Sequence, residues 1–165
     1  MTPLVEKFEQ VVARMRGSNQ FPYYMYGHRL EIANRLLEKD QDKVQKYQKY
    51  PLVALRQDFE EQHSNGIVTY VLNLAILEYT DKNYTAEQRY ENVFKPILYP
   101  LYEGLIIAMR QSGFFWPGFM GIPPHTKIDR PYWGVQFSEK NARNIFNDPL
   151  DAIEIVNLKV NLKSC

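Results

Sequence analysis

Hydrophobic and polar positions in the first fifty residues predict two amphipathic helices. Apolar residues recur at helical spacing from Leu4 to Met15, with charged residues on the opposite face, and a Gly-Ser-Asn stop follows. This pattern predicts an N-terminal helix over residues 1–17. Apolar positions between Leu30 and Leu37 predict a second, short helix that leads into a polar connector at residues 39–49. The aromatic segment 21–27 between these helices predicts an extended stretch.

The region after the connector has the pattern of two strands joined by a hairpin. A first strand is expected at Leu52–Phe59, followed by a polar tip, Glu60–Asn65, that ends in an Asn-Gly pair. Asn and Gly are the residues that best tolerate positive φ, so this pair predicts a hairpin turn. The second strand, Ile67–Tyr79, is apolar on both faces. We therefore expect both of its faces to be covered, by helices or by another subunit.

A long helix is predicted after the second strand. Thr85 and Gln88 have the spacing of a capping box at its start. Pro96 and Pro100 lie inside the pattern, and each removes a backbone donor. A bend or break is therefore expected near residues 95–100, after which helical periodicity resumes until Gly113.

The C-terminal third predicts a short strand at 131–137, a polar loop at 138–149 and a last strand at 151–162. The phase of the apolar positions slips within the last strand, which predicts a β-bulge near Ile155-Val156. Together these elements predict one α+β domain over residues 1–165. Its small mixed or antiparallel sheet would have about four strands, including a β-hairpin, and would pack against two or three helices.

The segment 114–124 is rich in aromatic residues, Pro and Gly. It is too rich in Pro and Gly for regular structure and too apolar to lie in water, so it either folds over the core or docks into a neighbour. Docking into a neighbour is favoured. The candidate interface residues are Phe114, Phe115, Trp116, Phe119, Met120, Ile122, Glu60, Glu61, His63, Tyr132 and Trp133.

Composition and charge narrow the class of protein. Of the 165 residues, 14% are aromatic, and the formal net charge is only +1. Tyr and Trp are enriched where protein surfaces meet, although many also fill cores. A near-neutral chain creates no long-range attraction for nucleic acid. The lysines of Lys39–Lys49 are interleaved with acidic residues, which indicates a solvated connector more than a phosphate-binding patch.

No recognisable chemical machinery appears in the sequence. The three histidines, His28, His63 and His125, are isolated from one another, and His28 with Glu31 would supply only two metal ligands. Asp148 and Asp151 flank Pro149-Leu150, where turn formation explains them. Phosphate-binding loops and nucleophile elbows are absent. We expect a protein that is not an enzyme and that holds no cofactor or metal.

The cellular compartment of the protein is inferred from its cysteine content and its hydropathy. The single cysteine, Cys165, cannot form an internal disulfide. The N-terminal residues lack the basic and apolar pattern of a signal peptide, and no window is apolar enough to span a membrane. We expect a protein made in a cytoplasm with no membrane partner.

Two blocks of the sequence resemble a known family. Residues 50–102, from YPLVALRQDF to KPILYPLY, and residues 129–163, from DRPYWGVQF to IVNLKVNLK, look like tail-terminator and head–tail joining proteins of tailed bacteriophages. The resemblance implies a virion neck protein, assembled in the host cytoplasm. Its subunits would form a homo-oligomeric ring, expected to be a hexamer, that ends the tail tube and joins it to the head connector. The implied partners are the tail tube protein and an adaptor or stopper protein, with DNA only passing through the lumen.

A closed ring requires two different patches on each subunit. The sequence candidates are the 114–122 loop and the hairpin tip at 60–65. Three alternatives stay open. The chain would be another neck component (adaptor, stopper or ring protein), a small cytoplasmic enzyme with an unidentified site, or a nucleic-acid-binding module that uses Lys39–Lys49 and the tyrosines.

Overall fold

A computed structural model describes residues 3–116, 121–137, 142–144, 146 and 148–162 of the chain. An open, mixed sheet of seven strands lies at its centre. Three helices pack against this sheet. The predicted combination of a mixed sheet and helices is confirmed, but the expected number of about four strands is wrong. The additional strands are short or polar, and such strands carry little hydrophobic signal.

The strands are β1 (Tyr23–Gly27), β2 (Leu52–Arg56), β3 (Glu60–Ser64), β4 (Ile67–Tyr79), β5 (Phe115–Trp116), β6 (Thr126–Arg130), β7 (Val135–Phe137), β8 (Ala142–Asn144) and β9 (Leu150–Leu162). The helices are α1 (Leu4–Arg16), α2 (Arg29–Gln41) and α3, a continuous run of Ala86–Arg89, Tyr90–Leu98 and Tyr99–Ser112. The main sheet has the order β1-β2-β4-β9-β5, with β3 also paired to β4 and β6 to β9. β7 and β8 form a separate two-stranded sheet.

The two long strands, β4 and β9, are antiparallel and form the middle of the sheet. Their register shifts by one residue just after Leu72. The extra residue on β9 brings Asn157 to a φ of 54°. Its N–H donates to Asn73 Oδ1 across the strand pair at 3.1 Å. This bulge confirms the prediction made from the slipped apolar phase.

The predicted hairpin is present, but its first strand is not the expected one. Asn65 and Gly66 have φ of 49° and 77°, and they join β3 to β4. The expected strand Leu52–Phe59 is confirmed only in part, because β2 begins at Leu52 but already ends at Arg56, and the supposed polar tip is itself β3. β2 and β3 pair with different stretches of β4.

The chain's own elements cover both faces of the sheet. α1 and α3 bury one face around Phe8, Leu98 and Met109. α2 covers the other face together with Trp133 and Phe146. The expectation that both faces of β4 are covered is confirmed for its second half, where Leu74 and Ile76 lie in the cluster of α1 and α3 and Ala75 and Leu77 in that of α2, Trp133 and Phe146. Ile67, at the start of β4, is exposed.

α3 begins with the predicted capping box. The Thr85 hydroxyl accepts from the Gln88 N–H at 3.2 Å, and the Gln88 side chain accepts from the Thr85 N–H at 2.9 Å. The break expected near residues 95–100 is wrong, since the helix continues through Pro96 as a π-helical stretch, whereas the expected bend stays a prediction. The N–H of Tyr99 bonds to the carbonyl of Phe94, five residues earlier. The wider turn of the π-helix thus accommodates Pro96, which has no backbone N–H to donate.

The remaining predictions are confirmed in part. α1 ends at Gly17, whose φ is 55°. α2 extends to Gln41, so part of the predicted connector is helical, and Gln45–Tyr47 forms a 3₁₀ turn. The strand expected at 131–137 is restricted to Val135–Phe137, and β6 was not predicted. In the described part of the chain, no helix has the length and apolar character needed to cross a membrane.

Candidate functional site

A cavity of about 370 Å³ lies where the ends of α2 and β4 meet the start of β2 and the residues before β9. Such a volume is in the range of small-ligand sites. We call it the Lys49 pocket. It is lined by Asp40, Lys46, Tyr47, Lys49, Tyr50, Glu78, Tyr79 and Asp148.

Lys49 holds the walls of this pocket together. Its Nζ lies 2.6 Å from Asp40 Oδ1 and also contacts Asp148 Oδ2. Burial lowers the pKa of Lys49, but the hydrogen bonds and charges of Asp148 and Asp40 outweigh that effect and leave the pKa raised. Lys49 is therefore a charged cross-link and not, as the sequence indicated, part of a solvated connector.

Tyr50 is the second anchor of Asp148. Its hydroxyl donates to Asp148 Oδ2 at 2.8 Å. Burial and then the charge of Asp148 raise the pKa of Tyr50, so the phenol stays protonated and acts as a donor. Asp148 thus closes the pocket through its side chain, a role that its place in a turn did not reveal.

Glu78 is a lining carboxylate whose protonation changes near neutral pH. Burial raises its pKa to about 7, opposed by a hydrogen bond from the Tyr79 N–H, which donates to Oε1 at 2.8 Å. No ion pair joins Glu78 to a cation within the described residues. The pocket therefore contains a carboxyl group whose charge is not compensated.

The rim of the pocket is aromatic. Tyr47 is 75% exposed and Tyr79 is 54% exposed. The Lys46 ammonium lies 4.8 Å from the centre of the Tyr47 ring. Two aromatic rings and an acid at one opening are suited to a cationic group.

A buried ion pair lies next to this region, between α3 and β9. Arg89 Nε is 2.8 Å from Asp151 Oδ2, and both side chains are almost fully buried. Arg89 Nε, Arg89 Nη2 and Asp151 Oδ2 form no hydrogen bond within the described residues, so the contact between the two side chains is an ion pair. Burial raises the pKa of Asp151, against the opposing effects of Thr80, the Tyr132 N–H and Arg89. This pair connects structural elements and does not line the pocket.

The three histidines lie on separate elements and have separate roles. His28 Nδ1 accepts from the Leu30 N–H and caps α2. His63 is exposed on β3, 3.4 Å from Glu61. His125 lies before β6, with Nε2 2.6 Å from the Tyr102 hydroxyl. Among the described residues, no group of three His, Cys, Asp or Glu side chains is placed to hold a metal ion.

The aromatic segment turns back toward the core at its start. Phe115 is buried and its ring centre lies 5.3 Å from that of Phe8. The expectation that Phe115 docks into a neighbour is corrected, since β5 pairs with β9 and directs this ring inward. Phe114 is half-buried between the cations of Lys7 and Arg14. Ile122 is exposed, whereas Phe119, Met120 and the side chain of Trp116 lie outside the described residues.

Tyr132 and Trp133 also contact the chain itself. Trp133 is buried against Phe146, with ring centres 4.8 Å apart, and its Nε1 donates to Glu154 at 2.7 Å. The Tyr132 ring lies 4.0 Å from the Arg89 guanidinium. The expectation that Trp133 lies on an interaction surface is therefore corrected, because it completes the core on the α2 face of the sheet.

The hairpin candidates, in contrast, lie on a free surface. All five residues of β3, including Glu60, Glu61 and His63, are exposed. Within the described residues β3 pairs only with β4. Its outer edge therefore presents unpaired backbone donors and acceptors, which is an arrangement that invites another strand.

A second free surface was not recognised in the sequence. Leu30 and Leu37 are exposed on α2, whereas Ile32, Ala33 and Leu36 face the core. Leu30 and Leu37 are seven residues apart, so they lie on one side of the helix. We call this pair the α2 outer face. The sequence did contain a sign of this surface, because α2 has five apolar residues between positions 30 and 37 and a single buried stripe needs only three of them.

Comparison of the chain with models of known protein families and with curated proteins found no match to either. The function proposed below therefore rests on the residues, their geometry and the resemblance described above.

Proposed function

We propose that this chain is a non-enzymatic structural subunit of a tailed bacteriophage. Identical copies would form a ring, expected to be a hexamer, at the head-proximal end of the tail. The ring would end the tail tube and join it to the head connector. Support comes from the two sequence blocks that resemble tail-terminator and head–tail joining proteins, and from the surfaces that the fold leaves unpaired.

The observation that carries this proposal is the presence of two different unpaired surfaces on one subunit. One is the outer edge of β3, which offers backbone hydrogen bonds. The other is the α2 outer face, which offers exposed leucine side chains. A ring needs two unlike patches that meet between neighbours, whereas a two-fold dimer would need only one self-complementary patch.

The chemistry of the hairpin suits a position at the lumen or its rim. Glu60 and Glu61 are exposed on β3. Carboxylates repel the phosphate backbone, so a wall that carries them lets DNA pass without strong binding. The α2 outer face would then contribute the hydrophobic part of the contact, roughly 1 kcal/mol for each half-exposed leucine that becomes buried.

The register of the hairpin provides a selective test. Ser64 and Ile67 flank the turn and face each other. In such a hairpin the N–H groups of Ser64 and Gln62 point to β4, and that of His63 points outward. His63→Pro therefore removes an outward donor while the pairing with β4 is kept. His63→Ala is the matched control, because it changes the same side chain and keeps the N–H.

Native mass spectrometry and light scattering over a concentration series would measure the assembly. The wild-type chain and His63→Ala should form a ring-sized oligomer, and His63→Pro and Leu37→Lys should shift it toward monomer. Labelled protein should bind one end of purified tail tubes in electron micrographs. A chain that stays monomeric at every concentration and binds no tube end would overturn the proposal.

A further inference from the structure

We propose that the Lys49 pocket binds an organic cation, a guanidinium or alkylammonium group, seated against Glu78 between the rings of Tyr47 and Tyr79. The cavity, the unpaired carboxylate of Glu78 in its lining and the two exposed tyrosines beside it are the basis of this proposal. It is independent of whether the chain forms a ring.

The charges around the pocket leave one site for a cation. From α2, Asp40 is paired with Lys49, and from the residues before β9, Asp148 is paired with the same ammonium and with Tyr50. Glu78 has only the Tyr79 N–H as a described partner. A cation placed beside it would supply the opposite charge that this partly buried carboxylate lacks among the described residues.

Two neighbouring charged groups complete the description of this environment. Asp151 is opposite Glu78 in the β4–β9 register, but it is paired with Arg89 on α3. Lys46 belongs to the 3₁₀ turn and its ammonium lies over the Tyr47 ring. Lys46 is thus the internal competitor for the proposed ligand, whereas Arg89 is committed elsewhere.

Size and donor set favour an organic cation over a metal ion. A volume of about 370 Å³ accommodates the end of an arginine or lysine side chain. Metal ions such as Ca²⁺ need six or more oxygen ligands at short distance, and the described residues contain no group of three carboxylates or imidazoles arranged for a metal. Aromatic rings such as those of Tyr47 and Tyr79 in the lining are instead the usual partners of guanidinium and ammonium groups.

The titration of Glu78 gives the proposal a second readout. Burial raises the pKa of Glu78 to about 7, so near pH 7 about half of the free pockets hold a proton. Only the carboxylate attracts a cation. Binding should therefore tighten as pH rises from 6 to 8 and should release about half a proton per ligand at pH 7.

The two sources of such a cation, a protein side chain and a free polyamine, are distinguished by the choice of probe. Isothermal titration calorimetry would compare the peptide acetyl-Gly-Arg-Gly-amide, its citrulline analogue and putrescine. Citrulline has the shape of arginine without the charge. Tighter binding of the arginine peptide than of putrescine would indicate a protein side chain, and the reverse order would indicate a free amine.

Variants test the role of each residue. Glu78→Gln should weaken binding at least tenfold and abolish both the pH dependence and the proton release. Glu103→Gln makes the same charge change at an exposed position on α3 and should leave both readouts unchanged. Lys46→Ala should tighten binding by severalfold, because the internal competitor is removed.

Three outcomes would overturn the proposal. They are equal affinity for the arginine and citrulline peptides, unchanged binding in Glu78→Gln, and no measurable binding of either cationic probe between pH 6 and 8. Proton release on binding can be measured with the wild-type protein alone, in buffers of different ionisation enthalpy. The proposal can therefore still be tested if Glu78→Gln fails to fold.

Discussion

Removal of one partner from the buried Arg89–Asp151 pair should destabilise the fold strongly, and in two different ways. In Asp151→Asn the guanidinium of Arg89 remains buried without a carboxylate. Arginine does not lose its proton in proteins, so the charge persists at every accessible pH. In Arg89→Met the buried Asp151 remains, and this carboxyl group can take up a proton instead.

The magnitudes follow from burial. Arg89 is 4% exposed and Asp151 is 0% exposed, so the pair is removed from water on both sides. Breaking a buried pair by removal of one partner typically costs about 3–5 kcal/mol. Because Arg89 Nη2 has no hydrogen-bond partner, the arginine contributes little beyond its charge and its contact with Tyr132. The double variant Arg89→Met/Asp151→Asn should therefore recover at least about 2 kcal/mol of the summed loss.

The pH dependence separates the two single variants. Without Arg89, burial holds the pKa of Asp151 further above its unfolded value of about 3.9. The folded state of Arg89→Met favours the protonated carboxyl of Asp151. The contribution of this group to the free energy of unfolding is therefore fully present below about pH 4 and is lost as pH rises toward the pKa of Asp151 in the folded state. In Arg89→Met the free energy of unfolding should therefore decrease by up to about 1.4 kcal/mol per pH unit in this range. Asp151→Asn has no such carboxyl and should show no slope from this site.

Urea unfolding of the four proteins at pH 5, 6, 7 and 8, followed by circular dichroism, would give the double-mutant cycle at each pH. Exposed Glu103→Gln is the control for a charge change that breaks no pair. Losses that add within about 0.5 kcal/mol would show that the two charges do not interact. A pH-independent difference between Arg89→Met and wild type would show that Asp151 does not change its protonation state.

Other predictions concern single sites. Burial raises the pKa of Glu78 to about 7 in the folded protein. The free energy of unfolding of the wild type should therefore fall between pH 4.5 and 7, relative to that of Glu78→Gln, by up to about 1.4 kcal/mol per pH unit. Urea titrations in which the two proteins show the same pH dependence would refute this. Thr85→Ala should cost about 1 kcal/mol through loss of the capping box, measured as a lower urea midpoint. Asn157→Gly should be tolerated whereas Asn157→Val should lower Tm by several degrees, because φ at this position is 54°.

The elements that the sequence predicted correctly carry their signal locally. β4 has apolar residues on both faces and an Asn-Gly pair directly before it, so its bounds could be read from neighbouring positions. The capping box of α3 involves two residues three apart. The β9 bulge appears as a slip in alternation. In each case the residues that determine the structure lie within one element.

The missed strands are polar edge strands. β3 is fully exposed and β6 is mostly exposed, so neither needs apolar alternation. Their pairing is determined by a free edge of β4 or β9, which belongs to another part of the chain. Periodicity in a window of sequence cannot report a partner that is distant in the chain.

The Lys49 pocket was missed for the same reason. Lys49 and Asp148 are separated by 99 positions, and each lies in a polar stretch that resembles ordinary solvated chain. Only the fold brings them together and excludes water from the ammonium. Lys49 lies three residues before β2, with Tyr50 and Pro51 between them, and this closeness to a buried strand is the weak local sign that the lysine is itself buried.

The aromatic segment and α2 show that hydrophobicity alone does not tell where a side chain is buried. Apolar residues in the segment 114–124 were expected to need a neighbour, yet Phe115 is covered by the chain's own α1. Leu30 and Leu37 contributed to the apolar pattern that predicted α2, yet both are exposed. Hydrophobicity indicates that a side chain favours burial, but not which surface buries it. On α2 the inward stripe is already complete with Ile32, Ala33 and Leu36, so the two remaining leucines stay exposed and form the α2 outer face.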